Sequence, residues 1–213
     1  MALTTTDRFA SAMAYAYQVH SGQRRKGTGI PYIAHILGVA ALALEYGADE
    51  EESIAALLHD AAEDGGGEAT LAEIRARFGD IVGDIVLGCS DSLVEDPEDK
   101  LPWQERKENY LAHLENASQS VCLVSAADKL HNVRSLLTDH RHIGAEVWTR
   151  FNKDAGRDGT VWNYEGLYAV ISHRLCASAP MLVDELRATL DALEVSILAK
   201  ETFDRGTMTF GPP

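Results

Sequence analysis

The sequence predicts an all-α protein. Apolar residues recur at helical spacing almost throughout, proline is rare at 6 of 213 residues, and no run alternates apolar with polar residues as a half-buried strand would. About eight or nine helices are expected from this pattern. The length suits a single core, so one domain is assigned to residues 1–200 and a loosely ordered tail to 201–213.

The elements follow in order. "TTDRFASAMAYAYQVHSG" opens with Thr and Asp cap candidates and stops at Gly22. "PYIAHILGVAALALEYG" has Pro31 as a favourable first helical residue and closes at Gly47. "DEEESIAALLHDAAEDG" carries acidic residues in its first turn, where the helix dipole favours them, and buries Ile54, Leu57, Leu58 and Ala61. "TLAEIRARFG" reads as a short helix with a Thr70–Glu73 capping box. "DIVGDIVLGCSDSLVE" is β-branched enough for a strand, but apolar residues at 81, 82, 85 and 86 favour a helix. "WQERKENYLAHLEN" and "SVCLVSAADKLHNVRSLL" are helical, "FNKDAGRDGT" is a polar break, and "VWNYEGLYAVISHRLCAS" is helical up to the boundary at Pro180. "MLVDELRATLDALEVSILAK" is a final amphipathic helix, whose apolar face offers a surface for a homodimer.

Composition excludes several roles. The formal net charge of −14 opposes binding to nucleic acid or anionic membranes, so a phosphorylated ligand needs a local basic patch. No apolar run approaches the roughly 20 residues that span a bilayer. "MALTTTDRFA" lacks the charged and apolar regions of a signal peptide. Cys89, Cys122 and Cys176 are odd in number and show no C-x-x-C spacing. Disulfides are therefore not expected, buried packing is, and a reducing cytoplasm is the expected location.

The chemistry concentrates in "LLHDAAEDGGG", residues 57–67. On one helix, His59 and Glu63 share a face, and Asp60 and Asp64 share the adjacent one. Three carboxylates this close raise each other's pKa values unless a cation neutralises them. With an imidazole beside them, a borderline divalent ion such as Mn, Fe or Zn suits better than Ca or Mg. A solvated acidic helix end is the alternative, although acidic residues at a C-terminus oppose the dipole. Asp128 and Asn132 stand at i, i+4 just after the apolar run "VCLVSAA", where a carboxylate needs a partner or a metal. His35 in "IPYIAHI" is either a ligand or a hydrogen-bonded core histidine. Arg24, Arg25 and Lys26 in "HSGQRRKGTG" are either a solvated cluster or an anion cradle.

"HSGQRRKGTGIPYIAH", "LLHDAAED" and "ADKLHNVRSL", in this order, resemble the HD-domain metal-dependent phosphohydrolases. The closest likeness is to the small, stand-alone RelA/SpoT-type alarmone hydrolases. The motifs lie within residues 7–138. The resemblance implies one divalent metal, usually Mn²⁺, held by His35, His59, Asp60 and Asp128. It places Glu63 and Asp64 on the catalytic pair that orients or deprotonates water. It puts Arg25, Lys26, Asn132 and Tyr164 at the nucleotide, with Arg24 beside them. The implied reaction is hydrolysis of the 3′-pyrophosphate of guanosine tetraphosphate or pentaphosphate, giving GDP or GTP and pyrophosphate.

Alternatives are hydrolysis of another nucleotide, such as the 2′-phosphate of NADP(H), and a catalytically silent nucleotide-binding module. The chain departs from the family at His131, at the three glycines after Asp64, and over residues 151–164. Arg150, Lys153 and Arg157 in "RFNKDAGRDGTVWNY" form a candidate phosphate-binding edge different from the family's. A synthetase domain is not expected after the hydrolase.

Overall fold

The computed structural model describes residues 5–94, 96 and 98–207, with side chains up to 200. Each stretch read as helical carries a helix: α1 (Asp7–Val19), α2 (Ile33–Glu45), α3 (Glu50–Leu58), α4 (Ala61–Gly65), α5 (Gly67–Phe78), α6 (Asp80–Cys89), α7 (Trp103–Leu114), α8 (Gln119–Ile143), α9 (Gly156–Leu175) and α10 (Pro180–Thr207). A 3-10 segment, Gly144–Arg150, follows α8. No strand forms among the described residues; an antiparallel bridge joins Arg24 to Pro31. No helix of the described residues is long and apolar enough to cross a membrane.

α3 and α8 form the centre. Ser53 to Leu58 are all buried, as are Val121 to Asp128, so neither stretch keeps a solvent face. A helix apolar all round belongs inside a core. α2, α6, α9 and α10 pack around α8, and α1 and α2 against α3. One apolar cluster runs from Ala12 to Leu193. α3 starts on a capping box, Asp49 with Glu52, which satisfies its first amides in both directions.

Three local readings are corrected. The third helix does not run unbroken to the glycines. It breaks at His59-Asp60, where Asp60 adopts φ −97°, ψ −5°, and α4 starts afresh. Secondly, α5 begins at Gly67, so Thr70 lies inside it and not at its cap. Thr70 Oγ1 donates to the Gly65 carbonyl at 2.7 Å instead, tying α5 to the end of α4. The glycines have distinct tasks. A Cβ on Gly65 would lie 2.7 Å from Val19 Cγ1, and Gly66, at φ +122°, reverses the chain. Thirdly, α9 starts at Gly156, before the expected Val161. Asn152 makes this possible, accepting from the Asp154 amide at its side chain and from the Ala155 and Gly156 amides at its carbonyl.

α10 extends past Lys200 to Thr207; the rest of the expected tail, 208–213, lies outside the described residues.

Candidate metal centre and nucleotide cavity

The break after α3 puts His59 and Asp60 where the core meets a cavity. α2 brings His35 and α8 brings Asp128 to the same point. Ligand atoms of His35, His59 and Asp128 all lie within 4.8 Å of one another, and all three residues are buried. Asp60 Oδ2 stands beside them, 2.9 Å from His59 Nε2 and 3.5 Å from His35 Nε2. His35 Nε2 is 3.3 Å from Asp128 Oδ1. His59 Nε2 is buried without a hydrogen-bonding partner. A buried ring nitrogen aimed at carboxylate oxygens, in a set of two imidazoles and two carboxylates, fits a divalent transition metal.

Neighbours fix how each group faces. His59 Nδ1 donates to the Ala56 carbonyl at 2.9 Å, which leaves Nε2 as the ring nitrogen facing the carboxylates. His35 Nδ1 is 2.9 Å from His131 Nδ1, so one of the two rings carries the shared proton. Burial, then the adjacent His35 ring, push the His131 pKa down to about 4, which keeps it neutral. With a neutral His131 accepting, His35 is held with Nε2 toward the site. His131 is therefore placed as a support for His35. Its ring fits because Gly38 lies opposite: a Cβ there would sit 2.3 Å from His131 Cδ2 and Nε2. Gly38→Ala is expected to displace His131 and weaken metal affinity by about 10- to 100-fold. Metal titration of the two proteins, with melting curves for folding, checks this; unchanged affinity would separate His131 from the centre.

The carboxylates divide into two electrostatic classes. Burial alone would raise Asp128, but Lys129 and the two imidazoles outweigh it and hold the pKa well below the usual range. Lys129 Nζ lies 2.5 Å from Asp128 Oδ2, and its ammonium sits over the Tyr110 ring at 5.5 Å. Asp60 behaves likewise: burial is outweighed by His59 and His35, and Tyr32 Oη donates to its Oδ2 at 2.6 Å. Glu63 goes the other way. Burial, then the Asp91 charge, push it up to about 7. Burial also raises Asp64, against the hydrogen bond from Gln23 Nε2.

Glu63 and Asp64 stay close enough to Asp60 to feel its charge, but each takes a different hydrogen-bonding partner. Glu63 turns toward the Asp91 amide, 3.3 Å away, and Asp64 toward Gln23, 2.8 Å away on the α1 side. Behind Glu63, Asp91 takes both oxygens to Arg106 Nη1, at 2.8 and 2.7 Å, and one to Lys107 Nζ.

A cavity of about 790 Å³ adjoins the centre, lined in part by His35, His131, Asn132, Trp103 and Tyr164. Its cationic lining is Arg25, Lys26, Arg106, Arg134 and Arg150, against Asp139 as the carboxylate of the lining. This local basicity sits in a chain of net charge −14. Asn132 joins cavity to centre: its Nδ2 donates to Asp128 Oδ1, and its Oδ1 accepts from Arg25 Nη1 at 3.0 Å. Tyr164 also lines the cavity, its phenol raised to about 12 by burial.

Arg24 is not brought to the cavity. The Arg24–Pro31 bridge extends the loop, so neighbouring side chains alternate sides. Arg25 faces the cavity, while Arg24 is exposed and donates to the Gly29 carbonyl across its own loop. The sequence reading missed Gln23, Tyr32, Asp91, Arg106 and Lys129. Tyr32, one turn before His35, was within reach. Asp91 and Arg106 lie on separate elements and carry no local pattern.

Comparison with known proteins agrees with this architecture. The chain is 36% identical over 139 residues to guanosine-3′,5′-bis(diphosphate) 3′-pyrophosphohydrolase MESH1 of Danio rerio, covering 64% of this chain and 73% of that one. It is 40% identical over 130 residues to guanosine-3′,5′-bis(diphosphate) 3′-pyrophosphohydrolase of Aquifex aeolicus, 59% of this chain but 17% of that much longer protein. Among solved structures, a metazoan orthologue of SpoT that hydrolyses ppGpp superposes with a TM-score of 0.67 at 25% identity, covering 89% of this chain and 97% of that one. The HD domain model matches residues 12–161. With that match spanning most of the chain, and with the helical fold shared, the protein belongs to the HD-domain family.

Proposed function

We propose that this protein is a metal-dependent hydrolase of the 3′-pyrophosphate of guanosine tetraphosphate or pentaphosphate, releasing GDP or GTP and pyrophosphate. The observation that carries the reading is the buried His35, His59 and Asp128, with half-buried Asp60 beside them, at a cation-lined cavity. The likeness to proteins named as guanosine-3′,5′-bis(diphosphate) 3′-pyrophosphohydrolases supports it.

His35, His59, Asp60 and Asp128 would hold the ion, Mn²⁺ in our reading. When bound, it supplies Lewis acidity toward a phosphoryl oxygen and a lowered pKa for water. The chain's own groups supply the rest. Glu63, raised to about 7, takes the proton from the attacking water, with Asp64 orienting it. Arg25 and Lys26 neutralise phosphate charge as water attacks and the bond between the 3′ oxygen and the pyrophosphate breaks. Asn132 couples the Arg25 side of the cavity to Asp128. Tyr164 supplies an aromatic wall for the nucleoside. The free cysteines fit a reducing compartment, the cytoplasm in our reading.

The test is a Mn²⁺-loaded substrate panel containing guanosine tetraphosphate and NADPH, read separately for pyrophosphate and orthophosphate. Pyrophosphate from guanosine tetraphosphate is expected. Orthophosphate from NADPH with no turnover of the tetraphosphate would replace this reading by the 2′-phosphatase one. Nucleotide binding without any turnover would make the protein a silent binding module.

A further inference from the structure

We propose that Arg150 is a specificity-determining residue that binds the phosphate chain which is not cleaved, the one on the 5′ side. The inference rests on the guanosine bis(diphosphate) reading above and names a subsite within it. A nucleoside with phosphate chains on both the 3′ and 5′ carbons cannot place both at one metal centre. The second chain must lie further along the cavity and meet cations there.

The lining offers few candidates. Arg106 is held by both oxygens of Asp91, and Arg134 is paired to Glu185 at 2.8 Å. Arg25 is tied to Asn132, close to the centre. Arg150 differs in its place and its seating. It ends the 3-10 segment after α8 and lines the cavity. Its Nη1 donates to Asp139 at 2.6 Å. Asp139 lies about 16 Å along α8 from Asp128, at a rise of 1.5 Å per residue. Arg150 is therefore anchored well down the cavity from the metal carboxylate.

Its side chain is also seated. A Cβ on Gly27 would lie 2.6 Å from Arg150 Cδ and Cγ. The stem thus lies flat on the backbone of the basic loop, beside Lys26 and Thr28, which line the same cavity. The guanidinium keeps donors beyond the one given to Asp139, in the fork geometry that suits a phosphate. A stem packed on Gly27 and a guanidinium already anchored by Asp139 cost little further ordering when phosphate arrives.

The experiment compares wild type with Arg150→Ala on two substrates, each loaded with Mn²⁺: guanosine 3′,5′-bis(diphosphate) and guanosine 3′-diphosphate, which has no 5′ phosphate. The variant is expected to raise KM for the first by roughly tenfold or more, the worth of a charge-assisted hydrogen bond, with kcat within about twofold. KM for the second is expected to stay at its wild-type value. An independent readout is calorimetric binding of GDP, which keeps the 5′ chain, and of pyrophosphate: the variant should lose affinity for GDP only. Equal KM increases on both substrates, no change on either, or unaltered GDP affinity would overturn the proposal. Arg150→Lys, which keeps a stem on Gly27, serves the same comparison if melting shows that the alanine variant does not fold. Wild-type protein that turns over neither substrate would refute the parent reading, and is seen before any variant is made.

Discussion

Asp60→Ala is expected to abolish metal retention and, with it, at least about 10³-fold of turnover, the equivalent of several kcal/mol of transition-state charge stabilisation. Asp60 meets both imidazoles through one oxygen, 2.9 Å from His59 Nε2 and 3.5 Å from His35 Nε2, as Asp128 Oδ1 does at longer range from His59. Its removal leaves two nitrogens and one carboxylate, with Tyr32 Oη deprived of its acceptor. Elemental analysis of the purified variant gives the metal content, and circular dichroism guards against misfolding. A folded variant with wild-type metal and wild-type rate would remove Asp60 from the ligand set.

Glu63→Gln is expected to separate chemistry from metal binding. Turnover should fall by about 10²- to 10⁴-fold, the usual contribution of a general base, while metal content stays at the wild-type value. The pH profile carries a second readout. Burial and the Asp91 charge hold Glu63 near 7, so the carboxylate that accepts a proton is present above that pH and lost below it. In wild type kcat should rise with pH up to about 7. A cation beside Asp60 offsets one of the charges that raise Glu63, so the loaded enzyme's limb lies at or below that value. The limb should vanish in Glu63→Gln; if it persists there, the base is another group. The same shift has a stability consequence in the metal-free protein. The native state keeps a proton that the unfolded chain releases near 4.5, so this group's contribution to stability falls as pH rises from about 4.5 toward 7.

The helical class was legible because periodicity is a local property. α1, α2 and α7 announce their faces within a dozen residues. α3 is legible for a different reason, its unbroken apolar run ending in His59-Asp60. The metal cluster could be anticipated for a related reason. An imidazole and carboxylates crowded after an apolar run carry an electrostatic problem that can be seen in one dimension, and the order of the motifs supplied the other members.

What failed locally failed for identifiable reasons. Thr70 followed by Glu73 has the composition of a capping box, but Gly66 at φ +122° lets the chain re-enter helical conformation four residues earlier. Arg24 and Arg25 are equivalent in sequence, and only the bridge to Pro31 decides that one faces the cavity and the other solvent.

The sequence by itself determined the helical class, the stretches that carry most helices, and the residues rich enough in chemistry to form a centre. The tertiary structure decided how that centre is tuned. Breaking the chain at His59-Asp60 sends Glu63 toward Asp91 and Asp64 toward Gln23, rather than stacking all four on one helix end. Lys129 and the imidazoles hold Asp128 ionised, while Asp91 helps raise Glu63 toward 7. The charge state of a carboxylate depends on burial and on charges within a few ångströms. Those neighbours come from α2, the end of α3, α8 and the segment after α6, whose meeting no local pattern records.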